Sequence, residues 1–139
     1  MRWRVVQGGW AAVLHRGDDV LASLKQLARE ADIRSAALSG LGAVEGVQLA
    51  YWDSAAKVYE RVDFEGDLEI GALVGNITRL DGEPFVHAHV VVGGRDTVAH
   101  TGHLMAARCA ATVELFLHDF GGAIHRAPDA NIGLNLCQI

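Results

Sequence analysis

One stretch of the chain repeats its apolar residues with the period of an α-helix, and no second stretch does so convincingly. It covers 19–31, where apolar residues recur three and four positions apart opposite charged ones. Asp19 stands where its side chain can cap the first turn. The sequence therefore predicts one main helix that buries one face against the rest of the chain.

The remaining segments are short, rich in β-branched residues and bounded by glycine, which is typical of strands. Asp81 and Gly82 separate two of them and favour a hairpin turn. The predicted strands cover 3–6, 10–15, 35–39, 44–52, 57–64, 67–79, 86–92, 107–118 and 133–139. One helix among successive antiparallel strands predicts an α+β fold, a mostly antiparallel sheet with one main flanking helix. The sheet face opposite the helix is apolar, so we expect another subunit to cover it.

Composition limits the classes of protein that fit. A length of 139 residues suits a single domain over 1–139, and 50% hydrophobic residues suffice for a real core. The formal net charge of −5, without a run of Lys or Arg, disfavours binding to a nucleic-acid backbone. Cys109 and Cys137 form no C-x-x-C pair, which favours reduced thiols. With no charged leader and no apolar run of about twenty residues, we expect a cytoplasmic protein without a membrane partner.

Two histidines lie one residue apart in the strand predicted at 86–92. Because strand side chains alternate between faces, His87 and His89 point the same way. His103 follows fourteen positions after His89, in a segment that its glycine marks as a loop. Imidazoles that converge with room for a further ligand suit a borderline cation such as zinc. The sequence therefore predicts a metal site formed by three histidines.

The same histidines have a simpler interpretation as strand residues that bond to backbone carbonyls. For a lone H-x-H pair that interpretation is the more frequent one. Here, however, two polar rings share one face of an apolar run, where each needs a partner and a shared metal serves both. His100 is a second candidate for the distal ligand, ranked below His103.

A set of short motifs occurs in a fixed order along most of the chain, roughly from 10 to 120. The motifs are Gly17-Asp18-Asp19, Leu38-Ser39-Gly40-Leu41-Gly42-Ala43, Leu68-Glu69-Ile70, Gly75-Asn76-Ile77, Asp81-Gly82 with Pro84, His87-x-His89, Gly102-His103-Leu104 and Glu114. This ordered set resembles the PPC domain, the "plants and prokaryotes conserved" family. The resemblance implies an antiparallel sheet with a flanking helix, assembled as a homotrimer.

The resemblance also implies metal ligands and a candidate partner. Some stand-alone prokaryotic members hold a metal through the H-x-H pair and the histidine of a G-G-H-L motif, which correspond here to His87, His89 and His103. Thr101 replaces the first glycine of that motif. Plant members grip DNA through an AT-hook, and this chain has no Arg-Gly-Arg-Pro hook. The resemblance therefore makes nucleic acid a candidate partner, although the acidic net charge of the chain disfavours it.

Two functions fit these observations. One is a homotrimeric binding or regulatory module that holds a divalent metal, with a small molecule or anion as a further ligand. The alternative is a zinc-dependent hydrolase or lyase, because an open position on zinc can hold a water with a pKa of about 7. Such an enzyme needs an acid or base nearby. The candidate carboxylates are Glu69, Asp96 and Glu114; Glu69 is the first to test, although most such carboxylates are exposed without a role.

A cupin barrel also carries an H-x-H pair on a strand. Cupins require a glutamate shortly after the second histidine, where this chain has Gly93 and Gly94. The cupin interpretation therefore ranks low.

Overall fold

Nine strands and one helix make up the computed structural model, which describes residues 1–139. The elements are β1 (Arg2–Val6), β2 (Gly9–His15), α1 (Val20–Glu30), β3 (Ala36–Asp53), β4 (Val58–Phe64), β5 (Leu68–Leu80), β6 (Glu83–Gly93), β7 (Ala99–Asp119), β8 (His125–Asp129) and β9 (Leu134–Gln138). The strands form one sheet in the order β1-β2-β7-β3-β5-β8-β9, with β4 paired to β3. Except for a parallel contact between β5 and β8, all pairs are antiparallel. The predicted antiparallel sheet with one helix is confirmed.

Four of the strands close into a ring. β6 pairs with β5 on one side and with β7 on the other, and both β5 and β7 pair with β3. Closure gives each of these strands two hydrogen-bonded neighbours along part of its length, which leaves little freedom in register. Side chains that β6 and β7 carry are therefore held on a rigid frame.

The helix covers one face of this frame. The Asp19 side chain accepts a hydrogen bond of 2.7 Å from the Ala22 amide, as an N-cap should. The helix packs against β6 and β7, and its fully buried residues are Val20, Leu24, Leu27 and Ala28. They join a continuous core of 25 buried residues. With 11 residues, the helix is too short to cross a lipid bilayer.

Two predicted strands, at 35–39 and 44–52, are one 18-residue strand, β3. The glycines between these two segments indicated a break in the strand. In the structure they instead permit close packing and a bulge. A Cβ on Gly42 would lie 2.2 Å from the Thr112 carbonyl oxygen, and the register shifts between Gly40 and Gly42. β3 can therefore run unbroken between β5 and β7.

The predicted loop around His103 is also strand, because β7 begins at Ala99. A Cβ on Gly102 would lie 3.0 Å from the Ala50 carbonyl oxygen, so the glycine allows β7 to approach β3 closely. The strand predicted at 133–139 is β9, and its partner β8 was not predicted. These two strands form a hairpin beside the end of β5.

Candidate metal centre

Adjacent strands bring the three predicted histidines together. His87 and His89 lie on the same face of β6, and His103 on β7 is the direct cross-strand partner of His89. The alternate residues of β6, among them Ala88 and Val90, are buried in the core. The alternation of β6 and the pairing with β7 thus fix all three rings on the face opposite the helix.

The rings form a nearly equilateral triangle. The ring centroids are 5.4 Å apart for His87 and His89, 5.1 Å for His87 and His103, and 5.4 Å for His89 and His103. One nitrogen from each ring lies within 4.8 Å of the others. Tetrahedral zinc, with zinc–nitrogen bonds of about 2.0–2.1 Å, places its nitrogens about 3.4 Å apart. Small side-chain rotations would close that difference.

Burial keeps two of the rings in the form that binds metals. Burial, followed by the nearby His87, lowers the pKa of His103 to about 4. Burial and the charge of Arg126 lower the pKa of His87 as well. A neutral imidazole offers one nitrogen lone pair, and the buried Nδ1 of His103 has no hydrogen-bond partner within the chain. The three imidazole nitrogens fit zinc in number and in type.

An aromatic pair, Tyr59 and Trp52, packs next to the His103 ring. The ring of Tyr59 on β4 stacks on it with a centroid distance of 5.0 Å and an interplanar angle of 28°. Trp52 on β3 is the cross-strand partner of Tyr59 and meets it edge-on at 4.9 Å. Both residues line the cavity of the histidine cluster.

Arg126 on β8 is a charged residue in direct contact with the cluster. Its Nη2 lies 3.4 Å from Nδ1 of His87 and donates a 3.0 Å hydrogen bond to Oδ1 of Asn76. Its Nε donates to Thr78 Oγ1 at 2.8 Å, and its Nη1 to the Asn135 carbonyl at 2.7 Å. The guanidinium also lies 4.8 Å from the centroid of the Phe85 ring. Arg126 was not predicted, because nothing in the local sequence around it connects it to histidines 39 and 23 positions away.

The cluster faces a cavity of about 770 Å³, within the usual range for small-molecule sites. Most of its wall away from the histidines is apolar or aromatic, with Leu49, Trp52, Tyr59, Val62 and Phe64. His100 and Thr101 also line it. The His100 ring packs against Phe64 at 4.7 Å and stands outside the three-histidine cluster. The arrangement favours His103 over His100 as the third ligand.

The carboxylates considered for acid–base chemistry lie elsewhere. Glu69 is exposed and pairs with Gly93, four positions or roughly 13 Å along β6 from His89. Asp96 lies in the turn after β6, where it accepts a hydrogen bond from the Val98 amide. Glu114 lies on β7 opposite Leu41. None of these three lines the cavity; the carboxylate that does is the exposed Glu60.

The chain is similar in fold to several solved structures. A metal-containing protein from Archaeoglobus fulgidus has 33% identity and a TM-score of 0.87, over 94% of this chain and 93% of that one. A plant- and prokaryote-conserved protein from Pyrococcus horikoshii has 27% identity and a TM-score of 0.87, over 100% and 92%. A protein from Bacteroides thetaiotaomicron, described provisionally as DNA-binding, has 25% identity and a TM-score of 0.94, over 99% and 96%.

Sequence comparison gives the family directly. None of the curated proteins compared with the chain matches it. The family model of the Plants and Prokaryotes Conserved (PCC) domain, abbreviated PPC above, matches residues 7–121. That range includes the helix, strands β2 to β7 and all three clustered histidines. The chain therefore belongs to the Plants and Prokaryotes Conserved domain family.

Proposed function

We propose that the protein is a homotrimeric module that binds a divalent metal, zinc, through His87, His89 and His103. The observation that carries the proposal is the triangle of nitrogen donors, each from a strand of the closed ring and all within 4.8 Å. A site on rigid strands loses little conformational entropy when it binds an ion. The similar protein from Archaeoglobus fulgidus is metal-containing, which supports the same role here.

Removal of two of the proposed ligands tests whether the histidines bind zinc. In the double variant His87→Ala and His89→Ala, we expect elemental analysis of purified protein to show loss of stoichiometric zinc, because a single imidazole holds zinc weakly. The matched control is His15→Ala, which removes an exposed histidine outside the cluster and should keep the metal. Full zinc content in the double variant would contradict the proposed ligands.

Nucleic acid is a second candidate partner. The similar Bacteroides protein is described provisionally as DNA-binding, whereas the formal charge of −5 here opposes attraction to phosphates. A gel-shift titration at low salt, where electrostatic binding is strongest, tests whether the chain binds DNA. We expect no shift of duplex DNA, and a shift that weakens steeply with salt would establish DNA binding.

Metal-dependent hydrolase or lyase chemistry is the alternative function, favoured by the cavity in front of the cluster. The carboxylate placed to serve as a base there is Glu60, since it lines that cavity and Glu69 does not. Loss of any esterase activity in Glu60→Gln, with zinc content unchanged, would support the enzyme. Loss of the same activity in Glu69→Gln would instead favour the sequence-based choice.

A further inference from the structure

Arg126 is a cation without an anionic partner. Its hydrogen bonds within the chain go to neutral groups: a hydroxyl, a side-chain amide and a backbone carbonyl. No ion pair in the structure includes it. A half-buried guanidinium normally has a carboxylate or another anion nearby, because its charge is costly to remove from water. The lack of one beside a ligand cavity suggests that the anion comes from outside the chain.

Its contact with His87 cannot persist in the metal-bound state. A neutral imidazole has one lone pair, and Nδ1 of His87 accepts from Nη2 of Arg126 with it at 3.4 Å. If Nδ1 binds the metal, it has no lone pair left for Arg126, and if Nε2 binds the metal, Nδ1 carries the proton; in both cases the Arg126 N–H loses its acceptor. The bonds to Thr78, Asn76 and Asn135 still hold the guanidinium in place. Metal binding thus frees a fixed, charged N–H beside the ion.

The charge of the metal-loaded site also favours an anionic ligand. Three neutral imidazoles leave the charge of a divalent ion intact, and Arg126 adds a further positive charge. Glu60 lines the histidine cavity with its side chain exposed to water, and Asp129, which lines the depression beside Arg126, accepts hydrogen bonds from the Asn131 and Ile132 amides and forms no ion pair with Arg126. Coulomb attraction for an anion at such a site is stronger than in bulk water, because the apolar wall lowers the local dielectric constant.

The two groups left open suit a carboxylate. The metal offers one coordination position and Arg126 the N–H that His87 no longer accepts, and the two oxygens of one carboxylate can bind both at once. Arg126 lines a second depression that shares Tyr59, His87 and His103 with the histidine cavity. The carboxylate would lie at this junction. The apolar wall beyond it and the unpartnered Nε1 of Trp52 suit an apolar body with one acceptor.

We propose that the metal-loaded site binds a small organic carboxylate whose oxygens bridge the metal and Arg126 and whose apolar body lies in the Trp52–Tyr59 cavity. This proposal rests on the proposed metal function. The two fail separately, because zinc content is measured before any carboxylate is added. A zinc-free purified protein would defeat the metal function, whereas a zinc-loaded protein that ignores carboxylates would defeat this proposal alone.

The experiment uses benzoate as a probe on the whole zinc-loaded chain in titration calorimetry. We expect benzoate to bind at least about tenfold more tightly than acetate, which lacks the apolar body, and than benzyl alcohol, which lacks the charge. In the cobalt-substituted protein, benzoate should shift the visible absorption bands, which report directly on the ligands of the ion. An unchanged cobalt spectrum at saturating benzoate would overturn the proposal and would indicate a fourth ligand from a neighbouring subunit.

Replacement of Arg126 gives two effects of opposite sign. In Arg126→Gln, benzoate affinity should fall by about tenfold, because a charge-assisted hydrogen bond is lost. Zinc affinity without benzoate should rise a few fold, roughly two to ten, because a nearby positive charge is removed. A merely structural role for Arg126 would lower both affinities, and that result would overturn the proposal.

Two further variants keep the test independent of folding. Arg126→Lys retains the charge and should recover part of the benzoate affinity. Arg16→Gln removes an exposed arginine that makes no side-chain hydrogen bond in the structure, and it should leave both affinities unchanged. Equal loss of benzoate affinity in Arg16→Gln and Arg126→Gln would show a general charge effect and contradict the bridge.

Discussion

At the scale of single residues, burial in the sheet lowers the pKa of His103. His103 is half-buried between the Tyr59 ring and the other two histidines, and its pKa is lowered to about 4 from the usual 6.5. A histidine with a lowered pKa stays neutral in the folded chain while the unfolded chain gains a proton. The free energy of unfolding therefore decreases as the pH falls from about 6.5 towards 4.

This predicts a pH dependence for the metal-free protein. After treatment with a chelator, the free energy of unfolding in urea should fall by about 1–2 kcal/mol between about pH 7 and pH 4.5, allowing for solvent screening of a half-buried group. His103→Gln should reduce that fall, because the titrating group is gone. His15→Gln, at an exposed position, should not. A fall of the same size in His103→Gln and the parent chain would mean that other groups govern acid stability.

The sequence predicts the donors of the site better than their surroundings. Alternation on a strand is a local rule, and it places His87 and His89 on one face from the sequence alone. No local rule places His103, because it was predicted in a loop and its pairing with His89 depends on β7 beginning at Ala99. Tyr59 and Arg126 reach the cluster through β4 and β8, by contacts that no spacing in the sequence encodes.

At the scale of elements, the helix and the β5–β6 turn follow from local chemistry. The helix was predicted at 19–31 and is found at Val20–Glu30 with Asp19 as its cap. Asp81 and Gly82 both have positive φ, of 52° and 84°, as the tight hairpin turn requires. Glycines inside β3 and β7 were misread, because a glycine that ends a strand and one that lets two backbones approach look alike in sequence.

Replacement of Gly102 tests whether a glycine is needed where two strand backbones approach closely. In Gly102→Ala, the new Cβ would lie 3.0 Å from the Ala50 carbonyl oxygen and 3.2 Å from Leu49 Cβ, so β7 must move away from β3. We expect a loss of about 1–3 kcal/mol in the free energy of unfolding, together with weaker zinc binding, since the neighbouring residue is His103. Urea denaturation and a competitive zinc chelator measure the two effects.

Gly71→Ala is the matched control within the same sheet. Its Cβ would meet only the Val91 carbonyl oxygen at 3.8 Å, an ordinary van der Waals contact. Alanine in a strand interior should then leave stability unchanged or raise it by about 0.5–1 kcal/mol. Equal stability of the two variants would show that close approach at Gly102 is not needed.

At the scale of the whole molecule, the histidine site and the proposed subunit contact share one face of the sheet. Phe116, Ser39 and Val74 are successive cross-strand partners on β7, β3 and β5, and Val74 in turn pairs with His89. Phe116 is 51% exposed and Val74 58% exposed in the single chain. Apolar side chains in such a row are costly to leave in water. A neighbouring subunit placed there would lie beside the metal ligands.

A charge in that row should therefore dissociate the proposed trimer. Native mass spectrometry of the parent chain should give three times the chain mass of 14.9 kDa, whereas Phe116→Asp should give the single chain, because a carboxylate would be buried without a partner. Val98→Asp is the control: Val98 is 52% exposed but lies in the turn between β6 and β7, away from the row. If Phe116→Asp kept the trimer mass, the subunit contact would lie on another surface.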